Sequence, residues 1–132
     1  GGAQPGMVAG EIATIRTALR LLASGMNIVY IGLEVRKAGE IKAKTEIDVL
    51  TSQEMIEVKS GDYSGVDKLS GREMDQFTRL RQIFKGALKL VDNAGNAFVP
   101  PAKWVYQFTS PISATLYQWL KARDVSEVRI AV

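Results

Sequence analysis

The segment from Thr45 to Gly61, TEIDVLTSQEMIEVKSG, carries the side chains whose types and spacing could do chemistry. Apolar and charged residues alternate on both sides of a polar break at Ser52 and Gln53. Alternation with period two is typical of strands that bury one face. The pattern therefore predicts an antiparallel hairpin formed by strands 45–51 and 54–60.

The predicted register of this hairpin separates charged from apolar side chains. It places Asp48 opposite Glu57, and Glu46 opposite Lys59. The opposite face then carries four apolar side chains: Ile47, Val49, Ile56 and Val58. Directly opposed Cβ atoms lie about 4.5–5.5 Å apart, and two carboxylates at that separation repel each other. The register thus predicts an unfavourable acid pair unless a cation binds between the two groups.

A divalent cation held by Asp48 and Glu57 would offset this repulsion. Mg²⁺ is commonly bound by one or two carboxylates, and water and phosphate oxygens complete its shell. A bound metal lowers the pKa of its water, and Lys59 could orient that water or neutralise charge on the phosphorane. These residues predict hydrolysis of a phosphodiester. The alternative interpretation is a solvated polar face on an amphipathic hairpin.

The composition narrows the possible chemistry. The chain of 132 residues contains no cysteine and no histidine. Disulfides, zinc-thiolate sites, thiol nucleophiles and histidine-based acid/base catalysis are therefore excluded. The net charge is +3 and the pI is near 9.3, which fits a polyanionic partner without requiring one. No apolar run is long enough to span a bilayer, so no membrane association of this domain is expected.

The remaining elements predict an α/β fold in the order α-β-β-β-α-β-α-β. This order favours a mixed central sheet flanked by helices on both faces. Helices are predicted to begin near Glu11, Ser70 and Ser110, and Ser70 has capping-box spacing to Glu73. Residues 1–10 are predicted to be a flexible lead-in to a single domain, 11–132. The predicted buried stripes of the three helices are Ile12, Ile15, Leu19 and Leu22; Met74, Phe77, Leu80, Phe84 and Leu88; and Ile112, Leu116, Trp119 and Leu120.

The stretch EIDVL followed by IEVKSG resembles the core motif of the PD-(D/E)XK nuclease superfamily. The resemblance implies a restriction-endonuclease-like fold and a metal-dependent endonuclease that uses Mg²⁺, or another divalent cation such as Mn²⁺ or Zn²⁺. Asp48 matches the motif aspartate, Glu57 the second acid and Lys59 the lysine. Ile47 stands where the proline that names the motif would be.

The resemblance extends to residues outside the hairpin. Family members often add a glutamate from the first helix, a role that either Glu11 or Glu34 could fill. Some members place a glutamine on the helix after the motif lysine, where Gln76 could hold substrate or water. Phosphates and bases of a nucleic acid could be contacted by four further side chains, Lys68, Arg72, Arg79 and Tyr63.

The small size and glycine-rich start resemble the C-terminal toxin domain of bacterial contact-dependent growth inhibition or related polymorphic toxins. That resemblance implies a DNA or tRNA substrate and a cognate immunity protein. It also implies that the domain is secreted, or delivered from the cell surface, as part of a larger protein and acts in the target-cell cytoplasm. Two alternatives are a housekeeping repair or restriction nuclease, and a nuclease-like fold that binds nucleic acid or protein without catalysis.

Overall fold

The fold is α/β, as the sequence predicts. A computed structural model describes residues 5–40 and 45–131. Its elements follow the predicted order, except that a short additional strand follows the second helix and pairs with the first strand. The elements are α1 (Pro5–Ala23), β1 (Ile28–Lys37), β2 (Thr45–Thr51), β3 (Glu54–Lys59), α2 (Gly71–Phe84), β4 (Leu90–Val91), β5 (Lys103–Phe108), α3 (Ala114–Lys121) and β6 (Glu127–Ile130).

The six strands form one mixed sheet in the order β4-β1-β2-β3-β5-β6. Strands β1, β2 and β3 are antiparallel neighbours, whereas β3, β5 and β6 run parallel. A parallel pair needs a crossover connection, and the chain between β3 and β5 includes α2. Because β3 is central, its residues are covered from both sides. This is where the predicted acid and lysine lie.

The helices cover both faces of the sheet. One apolar cluster joins α1 to Val49, Ile56, Val58 and Val105. The larger cluster joins α2 and α3 to the opposite face, which carries most of the aromatic side chains. A buried hydrogen bond at 2.6 Å, donated by Gln107 Nε2 to Thr17 Oγ1, ties α1 to β5. Helix α1 is thereby held beside the end of the sheet that carries the charged residues.

The predicted buried stripe of α1 is wrong. Ile12, Ile15, Leu19 and Leu22 are all exposed. The side chains that face the sheet are Ala13, Thr17, Ala18 and Leu21. The helix has apolar residues on two faces, and periodicity alone does not say which one packs. α1 begins at Pro5, six residues before the predicted start, and residues 1–4 of the predicted lead-in lie outside the described residues.

The second helix begins where the sequence predicts but ends earlier. It ends at Phe84, so Leu88 lies beyond the helix, and Ile83 is buried with Phe77 and Leu80. Ser70 is the N-cap residue, but its side chain makes no cap hydrogen bond. The predicted capping box is therefore not formed. Its glutamate, Glu73, accepts a hydrogen bond from the hydroxyl of Tyr63 at 2.9 Å instead.

The third helix begins later than predicted. It starts at Ala114, where the Ser113 hydroxyl accepts a hydrogen bond at 3.0 Å from the Leu116 N–H. A serine at this position satisfies a backbone donor that the first helical turn leaves free. Leu116 and Leu120 are fully buried, as predicted. Within residues 5–40 and 45–131, no helix combines the length and apolarity needed to cross a bilayer.

Candidate active site

The hairpin has the predicted register where its strands pair. Val49 pairs with Ile56, and Leu50 pairs with Met55. Beyond these two pairs, the backbone N–H of Val58 donates to the side chain of Asp48, with Oδ2 as the acceptor at 2.9 Å. A side chain thus replaces a backbone acceptor, and the two strands separate toward Asp48. This opening exposes the polar side chains of both strands to one cavity.

One detail of the predicted hairpin is wrong. Ile47 belongs to the cluster with Leu50 and Met55, not to the cluster of Val49 and Ile56. Strict alternation requires an evenly pleated strand, and the pleat is not kept where the β2–β3 pairing ends. The predicted position of Glu46 opposite Lys59 lies beyond the two residue pairs at which β2 and β3 are hydrogen-bonded, and Lys59 contacts Glu57 and Gln76.

Asp48 and Glu57 form the expected acid pair. Glu57 is only 4% exposed, and its carboxyl lies within hydrogen-bonding reach of the Asp48 carboxyl. Burial, followed by the charge of Asp48, raises the pKa of Glu57 well above its usual range, despite the opposing effect of Lys59. Glu57 Oε2 has no hydrogen-bond partner in the described part of the chain. The pair therefore carries an uncompensated buried oxygen.

Lys59 is held between two elements. Its Nζ lies 3.5 Å from Glu57 Oε1 and donates to Gln76 Oε1 on α2 at 2.8 Å. The Lys59 side chain is 13% exposed. An ammonium group has three donors, so these two contacts leave one for a ligand. Gln76, predicted to touch substrate or water, is placed to fix the position of the lysine.

A cavity of about 700 Å³ lies above this group. It is lined by residues of α1, β1, β2, β3 and α2, namely Gly10, Glu11, Thr14, Ile15, Ile31, Gly32, Glu46, Asp48, Glu57, Val58, Lys59 and Gln76. All three predicted motif residues and Gln76 therefore meet in one cavity. The volume is in the range of ligand-binding clefts.

Of the two glutamates left open by the sequence, Glu11 lines this cavity and Glu34 does not. Glu34 Oε2 lies 3.5 Å from Arg36 Nη2. On the neighbouring strand β2, Glu46 lies directly opposite Glu34. Glu46 itself lines the cavity, and its pKa is raised by burial and then by the charges of Asp48, Glu34 and Glu11. Among the described residues, no three acidic side chains converge into a metal-binding group.

Tyr106 was not predicted as a site residue. It lies on β5 directly beside Glu57 in the parallel register, and it is fully buried. Its hydroxyl has no hydrogen-bond partner among the described residues, and burial together with the charge of Glu57 raises its pKa. Two buried polar groups without partners thus lie on neighbouring strands. The sequence holds no signal for this placement, because it depends on the register of strands far apart in the chain.

The predicted nucleic-acid contacts lie outside the cavity. Lys68 lines a separate cavity at the start of α2, and neither Arg72 nor Arg79 lines the candidate site. The ring of Tyr63 packs edge-on against Phe108 at a centroid distance of 5.2 Å. Its hydroxyl is bonded to Glu73, so this tyrosine is engaged within the fold.

The Asp48 and Glu57 carboxylates are the side chains of this site that could bind a hard cation. Two neighbouring carboxylates, one with a buried oxygen lacking a partner, are the ligand type that Mg²⁺ prefers. The donor set therefore fits Mg²⁺ or a similar divalent cation.

Comparison of the chain with protein-family models, with curated proteins and with solved structures gave no match. Any functional assignment thus depends on the geometry of this cavity.

Proposed function

We propose that this protein is a divalent-metal-dependent nuclease of the PD-(D/E)XK type. The observation that carries the proposal is the buried Glu57 carboxyl, which lies beside Asp48 and has Lys59 Nζ at 3.5 Å in the same cavity. An acid pair is an unfavourable arrangement for a merely structural strand contact. A group of two acids and an ammonium has a direct use in phosphodiester hydrolysis.

Asp48 and Glu57 are the side chains that would hold the cation. When bound, the cation supplies Lewis-acid polarisation of a phosphate oxygen and a water of lowered pKa. Because burial and Asp48 raise the pKa of Glu57, the acid pair retains a proton more readily than two isolated carboxyls. Carboxylates bind metal in their ionised form, so loading the site expels that proton and is favoured by rising pH.

Lys59 is the residue proposed to act on the reacting phosphate. Its ammonium would stabilise the negative charge that develops on the phosphoryl oxygens, or orient the attacking water. Gln76 holds this ammonium through the 2.8 Å hydrogen bond and is proposed as a positioning residue. The contact with Glu57 keeps Lys59 close to the acid pair. The chain's lack of histidine is compatible with this arrangement.

Purified protein incubated with plasmid DNA and with total tRNA, with Mg²⁺ or with EDTA, tests the proposal. We expect cleavage of at least one substrate, dependent on metal. Lys59→Ala should lower the rate by about 10²- to 10³-fold, in the range known for removal of one charge-stabilising donor. Lys89→Ala, which removes an exposed lysine, is the matched control. Cleavage unaffected by EDTA would reject the metal mechanism, and no cleavage with several metals would favour the binding-only alternative.

We propose that the domain acts as a toxin on neighbouring bacteria, because of its resemblance to bacterial toxin domains. The expected phenotype is arrested growth when the wild-type chain is expressed in a bacterial cytoplasm, and normal growth with Lys59→Ala at equal expression. A cognate immunity protein should restore growth of the wild-type strain. Normal growth with the active nuclease present would instead favour the housekeeping alternative.

A further inference from the structure

The outward face of α1 is an exposed apolar stripe. Its five side chains are between 41% and 60% exposed, which is high for large aliphatic residues: Val8, Ile12, Ile15, Leu19 and Leu22. Single exposed apolar residues are ordinary, but contiguous rows on one helix face mark interaction surfaces. The stripe lies opposite the sheet-facing side of the helix, where Thr17 and Ala18 are buried. It therefore forms no part of the protein's own core.

The spacing within the stripe is that of a helix–helix seam. Successive apolar residues are separated by four, three, four and three positions, from Val8 to Leu22. This is the a/d pattern of a heptad repeat, in which side chains meet a second helix running along the same line. An amphipathic helix that packs only on its own sheet needs no such second seam. The pattern specifies a helix as the occupant.

The charged residues beside the stripe indicate which helix packs against it. If Ile12 and Ile15 are a and d, Glu11 falls at g and Arg16 falls at the following e. In parallel two-stranded coils, a g residue meets the e residue five positions later on the partner. Glu11 and Arg16 have that spacing and opposite charge. Within residues 5–40 and 45–131, the Arg16 side chain makes no ion pair or hydrogen bond.

We propose that α1 is a parallel dimerisation helix, and that its occupant is α1 of a second copy of this chain. The two-fold axis would run along the seam and form two Glu11–Arg16 pairs. An antiparallel arrangement would place g positions opposite g and e positions opposite e, so Glu11 and Arg16 would not meet and no ion pair would form. The self-complementarity of the sequence thus selects both the partner and the orientation.

The proposed interface adjoins the candidate active site. Ile15 and Glu11 line the cavity of about 700 Å³, as does Ile31 of β1. Val29, Tyr30 and Ile31 of β1 are themselves exposed and extend the apolar surface beside the helix. The partner's Arg16 would add a cation at the rim of this cavity through its contact with Glu11. The dimer does not depend on the proposed nuclease activity and is tested separately from it.

The test is the mass of the purified full chain across a dilution series. Because the seam is short compared with a stable obligate interface, we expect a concentration-dependent dimer, measured by sedimentation between about 1 and 200 μM. The limiting mass should be twice the monomer mass of 14.4 kDa. Leu19→Glu should give monomer throughout that range. Val99→Glu, at an exposed apolar site outside the stripe, should dimerise like the wild type.

A charge exchange tests the orientation. Glu11→Arg and Arg16→Glu should each weaken dimerisation at least tenfold, because each places like charges opposite each other twice. The double exchange should restore the wild-type dissociation constant, with circular dichroism confirming that every variant is folded. A wild-type chain that remains monomeric at the highest concentration would overturn the proposal. Dimerisation by Leu19→Glu, or failure of the double exchange to recover, would also overturn it.

Discussion

Replacing Glu57 by glutamine should stabilise the metal-free protein while abolishing its response to metal. Glutamine keeps the size of the side chain and removes its ability to ionise. In the wild type, burial and the Asp48 charge outweigh the attraction of Lys59, as the raised pKa of Glu57 shows. Burial and the Asp48 charge therefore favour the neutral form more at this position than in water. Glu57→Gln fixes the side chain in that form and leaves Lys59 bonded to Gln76.

The size of the effect can be bounded from the contacts. Two like charges about 4 Å apart at an effective dielectric of about 20 repel by about 4 kcal/mol, which is a ceiling. Sharing of a proton relieves part of this repulsion, and loss of the Glu57–Lys59 contact offsets another part. We therefore expect a gain of about 1–2 kcal/mol in the free energy of unfolding at pH 8. At roughly 3–5 °C per kcal/mol for a domain of this length, Tm should rise by about 3–10 °C.

The stability difference between Glu57→Gln and the wild type should depend on pH. The folded-state pKa of Glu57 lies above its unfolded value, so wild-type stability falls as pH rises from about 4.5 through the folded pKa. Glutamine does not titrate, so the advantage of the variant should grow over that window and then level off. Below pH 4 the two proteins should differ little. Glu40→Gln, the same change at an exposed position, should leave Tm unchanged at every pH.

Metal provides the second half of this experiment. Mg²⁺ at about ten times its dissociation constant should stabilise the wild type by about 1.4 kcal/mol, and Glu57→Gln should lose that shift. Tm is read by differential scanning fluorimetry with and without Mg²⁺. A variant less stable than the wild type at pH 8, together with a wild type indifferent to every divalent cation, would refute both the electrostatic reasoning and the metal site.

Three further outcomes are expected. Gln76→Ala should lower the cleavage rate about tenfold with little change in KM, because it releases the ammonium it positions; a pure change in KM would assign it to binding. Tyr106→Phe should leave the free energy of unfolding within about 1 kcal/mol of the wild type, since its hydroxyl has no partner among the described residues; calorimetry showing a larger loss would contradict this. Arg129→Ala should cost about 2–3 kcal/mol in chemical denaturation, because it removes the 2.8 Å contact to the buried Glu54 carboxylate; a loss under 0.5 kcal/mol would contradict that assignment.

The parts of the fold that local patterns determine were predictable. The alternation around Ser52 and Gln53 gave the register of Val49 with Ile56, because shifting a strand by one residue would expose its buried face. The turn is supported within the same segment, where the Thr51 hydroxyl accepts the N–H groups of Gln53 and Glu54. The grouping of Asp48, Glu57 and Lys59 follows from that register. These features need no information from distant elements.

The parts that depend on distant packing were not predictable. Helix α1 has two apolar faces, and the choice of Ala13 and Ala18 over Ile12 and Leu19 for burial depends on the sheet beneath it. Small residues let a helix lie close to a strand, which no local pattern reports. The placement of Glu57 beside Tyr106 likewise requires the parallel pairing of β3 with β5. Sequence periodicity predicts the helices and strands but not which of them pack against each other.

The opening of the hairpin links its stability to its proposed chemistry. A continuous β2–β3 ladder would satisfy the Val58 N–H with a backbone carbonyl and leave Asp48 free to turn away from Glu57. Instead, the 2.9 Å bond from Val58 fixes the Asp48 carboxyl where the strands part, beside the buried acid. The backbone donor is satisfied, so the opening costs little in hydrogen bonding, while the carboxyl pair is held in an unfavourable contact. A carboxyl pair that is destabilised by charge and yet positioned by a backbone hydrogen bond is the arrangement expected where a ligand, rather than folding, compensates the repulsion.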